Sequence, residues 1–232
     1  MPDYQAIREA CCEANKSLPA SKLVDLTFGN VSVCDADRRV MAIKPSGVDY
    51  DALSPADMVI VDLATGETLE GDLRPSSDTP THRRLYQLFQ TAGAIVHTHS
   101  RHAVAWAQAG RDLPCFGTTH ADYFHGAVPC TRPMTSDEIA ADYEWNTAEV
   151  IGESFAERDP ADCPAVLMHG HGPFVWGPTA PKAVETAMAL EIVAQMALQA
   201  LQIHPSMPPL QKPQRDKHFF RKHGKTAYYG QG

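Results

Sequence analysis

The chain has no excess of basic residues: 20 Lys and Arg stand against 28 Asp and Glu, a formal net charge of −8. A broad phosphate-neutralising surface, and with it general nucleic-acid binding, is therefore excluded. A small local anion pocket is not. No two of the six cysteines (Cys11, Cys12, Cys34, Cys115, Cys130, Cys163) are spaced C-x-x-C. In a chain of 232 residues they are expected to be reduced thiols of a cytoplasmic protein, not a disulfide frame. No apolar run approaches the ~20 residues of a spanning helix, and the start lacks the basic-then-apolar layout of a signal peptide, so a soluble protein without a membrane partner is expected. Fixed-period repeats, low-complexity tracts and linkers are also missing. The length suits one large domain covering residues 1–232.

What is present reads as alternating strands and helices. Apolar residues at helical spacing (Tyr4, Ile7, Ala10, Cys11, Ala14) predict a first helix over 4–16. Two apolar runs about an Asp-Ala-Asp turn predict a hairpin with strands near 26–34 and 39–43, and residues 58–71 repeat the pattern. Thr79-Pro80 starts a helix running to about Gln90, followed by a buried strand at Ala94–His99 and a helix at His102–Ala109. The capping box Thr135–Glu138 predicts a helix to about Arg158. Residues 165–177 predict one further strand and a glycine-rich turn, and Thr179–Gln202 a long helix. The proline-rich stretch 204–216 excludes regular helix or sheet on this reading. The aromatic, basic segment 217–232 is expected to dock on another surface, such as a second subunit. The fold class expected is α/β, a mainly antiparallel central sheet with helices on both sides.

The chemistry concentrates between Pro75 and His102. Side chains two apart on a strand share a face about 6.6 Å apart, so His97 and His99 can reach one metal ion. By itself H-x-H is a weak motif in a chain with 11 histidines. Asp78, just before the helix that leads back to this strand, can add a carboxylate. A second H-x-H, His169 and His171, also follows an apolar run, and one of the two can complete a set of ligands. Three turns offer backbone amides, hydroxyls or a cation to a phosphate-type anion: Gly29-Asn30, Lys44-Pro45-Ser46-Gly47 and Ser76-Ser77. Each alone is more ordinarily just a turn. The last one runs directly into Asp78, which sets anion pocket and metal one small molecule apart.

The motifs LTFGNVS (26–32), IKPSGVDY (43–50), RPSSDTPTHR (74–83), IVHTHSRHA (95–103), GTTHADYF (117–124), the H-G-H-G-P-F run from His169 and residues 217–231 together resemble the class II aldolase family, on its epimerase side, over nearly the whole chain. The resemblance implies that Asp78, His97, His99 and His171 hold a divalent metal, zinc or an alternative such as manganese. It implies that Gly29, Asn30, Ser46, Gly47, Ser76 and Ser77, with Lys44 nearby, hold the substrate phosphate. It implies that Asp122 and Tyr229 are the two acid/base residues. The activity implied is epimerisation of a phosphorylated ketopentose by breaking and re-forming its C3–C4 bond. A homotetramer is implied, with sites at subunit interfaces and the tail 203–232 bringing Tyr229 to a neighbour's site, where it faces Asp122. Two alternatives share the fold: an aldolase that releases its fragments, which would typically have Glu where Asp78 stands, and a non-catalytic module like the adducin head, expected to lack the metal histidines.

Overall fold

The computed structural model describes residues 3–224 and 227–229. In chain order the elements are α1 (Gln5–Ala20), β1 (Asn30–Cys34), β2 (Val40–Ile43), β3 (Val59–Asp62), β4 (Thr68–Glu70), α2 (Thr79–Leu88), β5 (Ala94–His97), α3 (Arg101–Gln108), α4 (Thr118–Ala121), α5 (Ser136–Ala140), α6 (Tyr143–Glu153), β6 (Ala165–Leu167), β7 (Pro173–Gly177), α7 (Ala180–Ile203) and α8 (Lys212–Phe220). The strands form one sheet in the order β4-β3-β2-β1-β5-β7-β6, and every pair of neighbours is antiparallel.

Both early hairpins are shaped by an aspartate at the turn. Asp35 accepts main-chain hydrogen bonds from Arg39 and Val40, and Asp62 from Ala64 and Thr65. These carboxylates replace the backbone partners that the turn removes. The strands beyond are buried on both faces, which requires helices on each side. From one side α1 packs on β1 and β2, and α7 on β7, β5 and β1. The buried Asn15 pins α1 to the sheet by accepting from the Val31 amide at 2.8 Å and donating to the Val31 carbonyl at 3.0 Å. From the other side α2 reaches β1 through His82 and Tyr86, which both bond Ser32. By length and composition α7 passes for a spanning helix. Its Ala183, Ala187, Leu190, Ala194 and Ala197 face is buried against the sheet, while Met188, Ile192 and Met196 are exposed.

Four expectations need correction. The strand beginning at Ala94 stops at His97, so His99 lies beyond it. The capping box at Thr135–Glu138 exists, but the helix it opens breaks after Ala140 and α6 begins at Tyr143. The Asn146 side-chain amide donates to the Glu138 carbonyl and so supplies a bond that an unbroken helix would make internally. Residues 165–177 form two paired strands, because Gly170 (φ +70°) lets the chain reverse inside the apolar run. The proline-rich stretch does enter a helix, since Pro213 sits in the first turn of α8 where its missing N–H costs nothing. This helix packs on α4 of its own chain and buries Phe219.

Burial also sets a pH response. His120 is 3% exposed, its Nε2–H donates to the Gly126 carbonyl at 2.7 Å, and burial pushes its pKa down to about 4. An unfolded histidine titrates near 6.5, so below that pH the unfolded chain takes up a proton the folded one refuses. Stability is lost as pH falls, by about 2 kcal/mol at pH 5 from this group alone. His120→Gln keeps a donor for Gly126 and cannot titrate. The urea-derived stability gap between parent and variant should therefore shift by that amount, in the variant's favour, between pH 7 and pH 5. A gap independent of pH refutes the assignment.

Candidate metal centre and anion pocket

The sheet register brings the site together. Asn30 at the start of β1 pairs with His97 at the end of β5, and His97 pairs with Phe174 in β7. The ends of three adjacent interior strands therefore meet on one side, where β1 and β7 begin and β5 stops. His99 reaches the same place two residues past the strand, and His171 reaches it from the β6–β7 turn. Ring centroids are 5.1 Å apart for His97–His99, 4.8 Å for His97–His171 and 5.0 Å for His99–His171. One ring nitrogen from each histidine lies within 4.8 Å of the others. His99 lies past the end of β5, and its ring, itself exposed, still comes within 5.1 Å of His97.

The protonation chemistry suits a metal. His97 Nδ1 lies 2.9 Å from the Pro173 carbonyl, which can only accept, so Nδ1 carries the hydrogen and Nε2 keeps its lone pair. Stacking on Phe174 at 4.2 Å fixes the ring plane. Burial, then the neighbouring imidazoles, lowers the pKa of His99 and drives that of His171 down to about 4, leaving neutral rings with lone pairs. Buried His171 Nδ1 has no hydrogen-bond partner among the described residues. Burial opposes ionisation of Asp78, but the imidazoles of His97 and His82 and a hydrogen bond from Asn30 hold its carboxyl below the usual range. That bond, Asn30 Nδ2 to Asp78 Oδ2, is 2.6 Å long. Three imidazoles beside a carboxylate held below its usual range fit a divalent ion of the zinc type. His169 points elsewhere: its ring packs over Gly110 at the end of α3.

A cleft of about 370 Å³ opens onto these groups. Gly29, Asn30, Lys44, Ser46, Gly47, Ser76 and Ser77 line it together with Asp78, His97, His99 and His171. Eleven residues chosen from five separate segments thus share one cavity. The Gly29 turn must be glycine, since at φ +99° a Cβ would sit 2.8 Å from the His97 carbonyl oxygen. Tyr50 steadies that turn by donating to the Gly29 carbonyl at 2.8 Å. Lys44 is 2% exposed, with Nζ 4.9 Å over the Tyr50 ring and 3.3 Å from the Pro45 carbonyl. Burial lowers its pKa, so a dianion in the cleft would restore what desolvation removes.

Asp122 and Tyr229 do not line this cleft. Asp122 ends α4 and is gripped by Arg221, whose Nη2 lies 2.7 Å from Oδ2 and 2.9 Å from Oδ1, and by His218 at 3.1 Å. Burial raises its pKa, yet the hydrogen bonds from Arg221 and His218 win and keep the carboxyl ionised. The Tyr229 ring lies 4.7 Å from the Arg221 guanidinium and 4.8 Å from the ammonium of Lys222, which is itself 3.6 Å from Asp122. Sequence reading missed this clamp, and it missed Tyr50 and His82. The signal available for His82 was its place four residues after Asp78, one helical turn on the same face.

Residues 9–198 match the family described as Class II Aldolase and Adducin N-terminal domain. The chain is 48% identical over 227 residues to the "L-ribulose-5-phosphate 4-epimerase UlaF" of Salmonella paratyphi C (strain RKS4594), covering 98% of this chain and 99% of that protein. The same figures hold for the protein of that name from Salmonella choleraesuis (strain SC-B67). Among solved structures, an L-fuculose 1-phosphate aldolase superposes with a TM-score of 0.78 at 24% identity, covering 93% of this chain and 95% of that one. The L-fuculose-1-phosphate aldolase from Thermus thermophilus does so with 0.68 at 28% identity, covering 88% and 100%. With the family matched across most of its length and named epimerases matched across nearly all of it, this chain belongs to the class II aldolase and adducin N-terminal domain family, as one of its enzymes.

Proposed function

We propose that this chain interconverts L-ribulose 5-phosphate and D-xylulose 5-phosphate, as the name of its 48% identical relatives suggests. The observation that carries the reading is the one cleft in which three imidazoles and Asp78 lie beside the turns able to hold an anion. In it Asp78, His97, His99 and His171 would hold a divalent ion. When bound, such an ion supplies Lewis-acid polarisation of the ketose carbonyl.

The remaining work falls to the protein. The hydrogen on C4 of such a sugar is not acidic, so inversion there calls for breaking the C3–C4 bond. The proton leaves the C4 hydroxyl, the bond electrons pass to the carbonyl half, and C4 becomes an aldehyde. Lys44, Ser46, Gly47, Ser76 and Ser77 retain the aldehyde half by its phosphate, which keeps the fragment near while its carbonyl rotates. Re-formation of the bond on the opposite face then needs a proton for the new hydroxyl. Two proton carriers are required, one for each configuration, and Asp122 and Tyr229 are assigned to them. Since neither lines its own chain's cleft and both sit on one cationic cluster, we place them together at the cleft of a neighbouring subunit in a homotetramer.

A coupled assay tests the proposal: L-ribulose 5-phosphate in, D-xylulose 5-phosphate out, and no turnover after chelator treatment. Accumulation of free glycolaldehyde phosphate instead would make this an aldolase. The pocket has its own test. Ser77 is exposed in the cleft, whereas Ser76 Oγ accepts from Asn30 at 3.1 Å, so Ser77→Ala is the cleaner probe. A hydrogen bond to a charged group contributes about 1.5–3 kcal/mol, so its KM should rise by roughly 10- to 100-fold with metal content unchanged. An unaltered KM removes Ser77 from the phosphate site.

A further inference from the structure

His82 belongs to neither ligand set nor pocket, yet each of its ring nitrogens has a distinct environment. It is fully buried on α2, one turn from Asp78, and its main-chain N–H donates to the Asp78 carbonyl at 3.0 Å. Nδ1 lies 2.7 Å from Ser32 Oγ, and Ser32 Oγ lies 2.9 Å from the Tyr86 hydroxyl. Nε2 is buried with no hydrogen-bond partner among the described residues. Two other side-chain atoms share that condition, Asn30 Oδ1 and His171 Nδ1, and both residues line the metal cleft. Orphaned buried polar groups are costly, and where they cluster they call for an explanation.

The direction of the hydrogen-bond chain decides the tautomer. Suppose His82 Nδ1–H donated to Ser32 and Ser32 to Tyr86. The buried phenol hydrogen would then be left without the Ser32 acceptor; with Ser32 Oγ accepting from both neighbours instead, its own hydroxyl hydrogen would have no partner among the described residues. In the reverse direction Tyr86 donates to Ser32, Ser32 donates to Nδ1, and Nε2 carries the hydrogen. The Tyr86 and Ser32 donors are then both used, and Nε2–H is left as a buried donor on a residue one helical turn from Asp78.

We propose that His82 is a positioning residue which, as its Nε2–H tautomer, holds the Asp78 carboxylate alongside Asn30 when Asp78 turns to a divalent ion. The inference rests on the reading of Asp78, His97, His99 and His171 as the metal centre. Residues that orient a metal's ligands typically change affinity by about 10- to 100-fold when removed.

The experiment compares His82→Asn with His82→Gln, by competition for Zn²⁺ against a chromophoric chelator. An Asn amide occupies the Nδ1 position and keeps a partner for Ser32 but offers nothing at Nε2. A Gln amide reaches the Nε2 position. The expected result is Zn²⁺ affinity weakened about 10- to 100-fold in His82→Asn and largely restored in His82→Gln. Equal affinity in His82→Asn and the parent overturns the proposal, as does a Gln variant no better than Asn, which would mark a role in packing against Ser32. If the parent itself binds no divalent ion, it is the metal centre that fails. Should the variants not fold, nitrogen NMR of the unaltered, ¹⁵N-histidine-labelled protein decides: hydrogen on Nε2 of His82 supports the proposal and hydrogen on Nδ1 refutes it.

Discussion

His97→Asn should lose at least about 10³-fold in kcat/KM and most of its bound metal, while remaining folded and assembled. The substitution is nearly surgical. An Asn amide hydrogen can take the place of Nδ1–H and keep the 2.9 Å bond to the Pro173 carbonyl that ties β5 to β7. The lone pair at Nε2 is what disappears, and with it one of three imidazole donors that approach within 4.8 Å. A thousandfold loss corresponds to about 4 kcal/mol of transition-state stabilisation, a reasonable share for an ion that polarises the reacting carbonyl. Metal content by atomic emission and turnover in the coupled assay are measured on the same preparation. A variant with full metal and full activity sinks the metal centre. One with full activity and no metal sinks the chemistry assigned to it.

The second large effect is a gain. Subunits carrying His97→Asn and subunits carrying Asp122→Asn are each expected to be inactive alone. Co-expressed with different tags and purified through both, their hybrid should recover activity, because the Asp122→Asn subunit contributes an intact cleft and the His97→Asn subunit an intact Asp122 and Tyr229. With random mixing in a cyclic tetramer, about a quarter of the interfaces pair the two intact halves. The sequence led to a different pairing, with Tyr229 of one subunit facing Asp122 of another. On that arrangement a hybrid of Asp122→Asn and Tyr229→Phe would also recover. The structure sets Asp122 2.7 Å from Arg221 and the Tyr229 ring 4.7 Å from the same guanidinium, within one chain. We therefore expect the Asp122/Tyr229 hybrid to stay as inactive as its parents. Recovery there would separate the two residues onto different subunits. A dead His97/Asp122 hybrid would end the shared-site proposal altogether.

Much of the site is legible without any fold. His97 and His99 stand out through their spacing, and Ser76-Ser77 through running directly into Asp78. Gly29-Asn30, Lys44 and Ser46-Gly47 are turn chemistry able to meet an anion, and the family resemblance binds them into one pocket. Local signals of this kind survive in a linear chain because they depend on residues within a turn of each other. The same holds for the caps at Thr135 and Thr179, whose side chains bond amides three residues on, and for the aspartate turns of the two early hairpins.

What the sequence by itself determined was therefore the inventory: alternating elements, an α/β class, and the side chains whose chemistry suits a metal and a phosphate. Only the tertiary structure decided how they meet. Whether a hairpin closes inside residues 165–177 depends on pairing with β5, which no apolar run reveals, and that closure is what brings His171 and not His169 to His97. The break between α5 and α6 turns on Asn146 taking a carbonyl from Glu138, a bond made only once both helices pack. The orphaned nitrogen of His82 exists only because Ser32, 50 residues earlier in the chain, claims the other one. The charge state of Asp122 is set by Arg221, 99 residues later. Contacts of this range carry no periodicity and no local propensity. They are fixed by strand register and by helices docking on a sheet, because burial leaves each polar group to find whichever partner the fold has placed nearby.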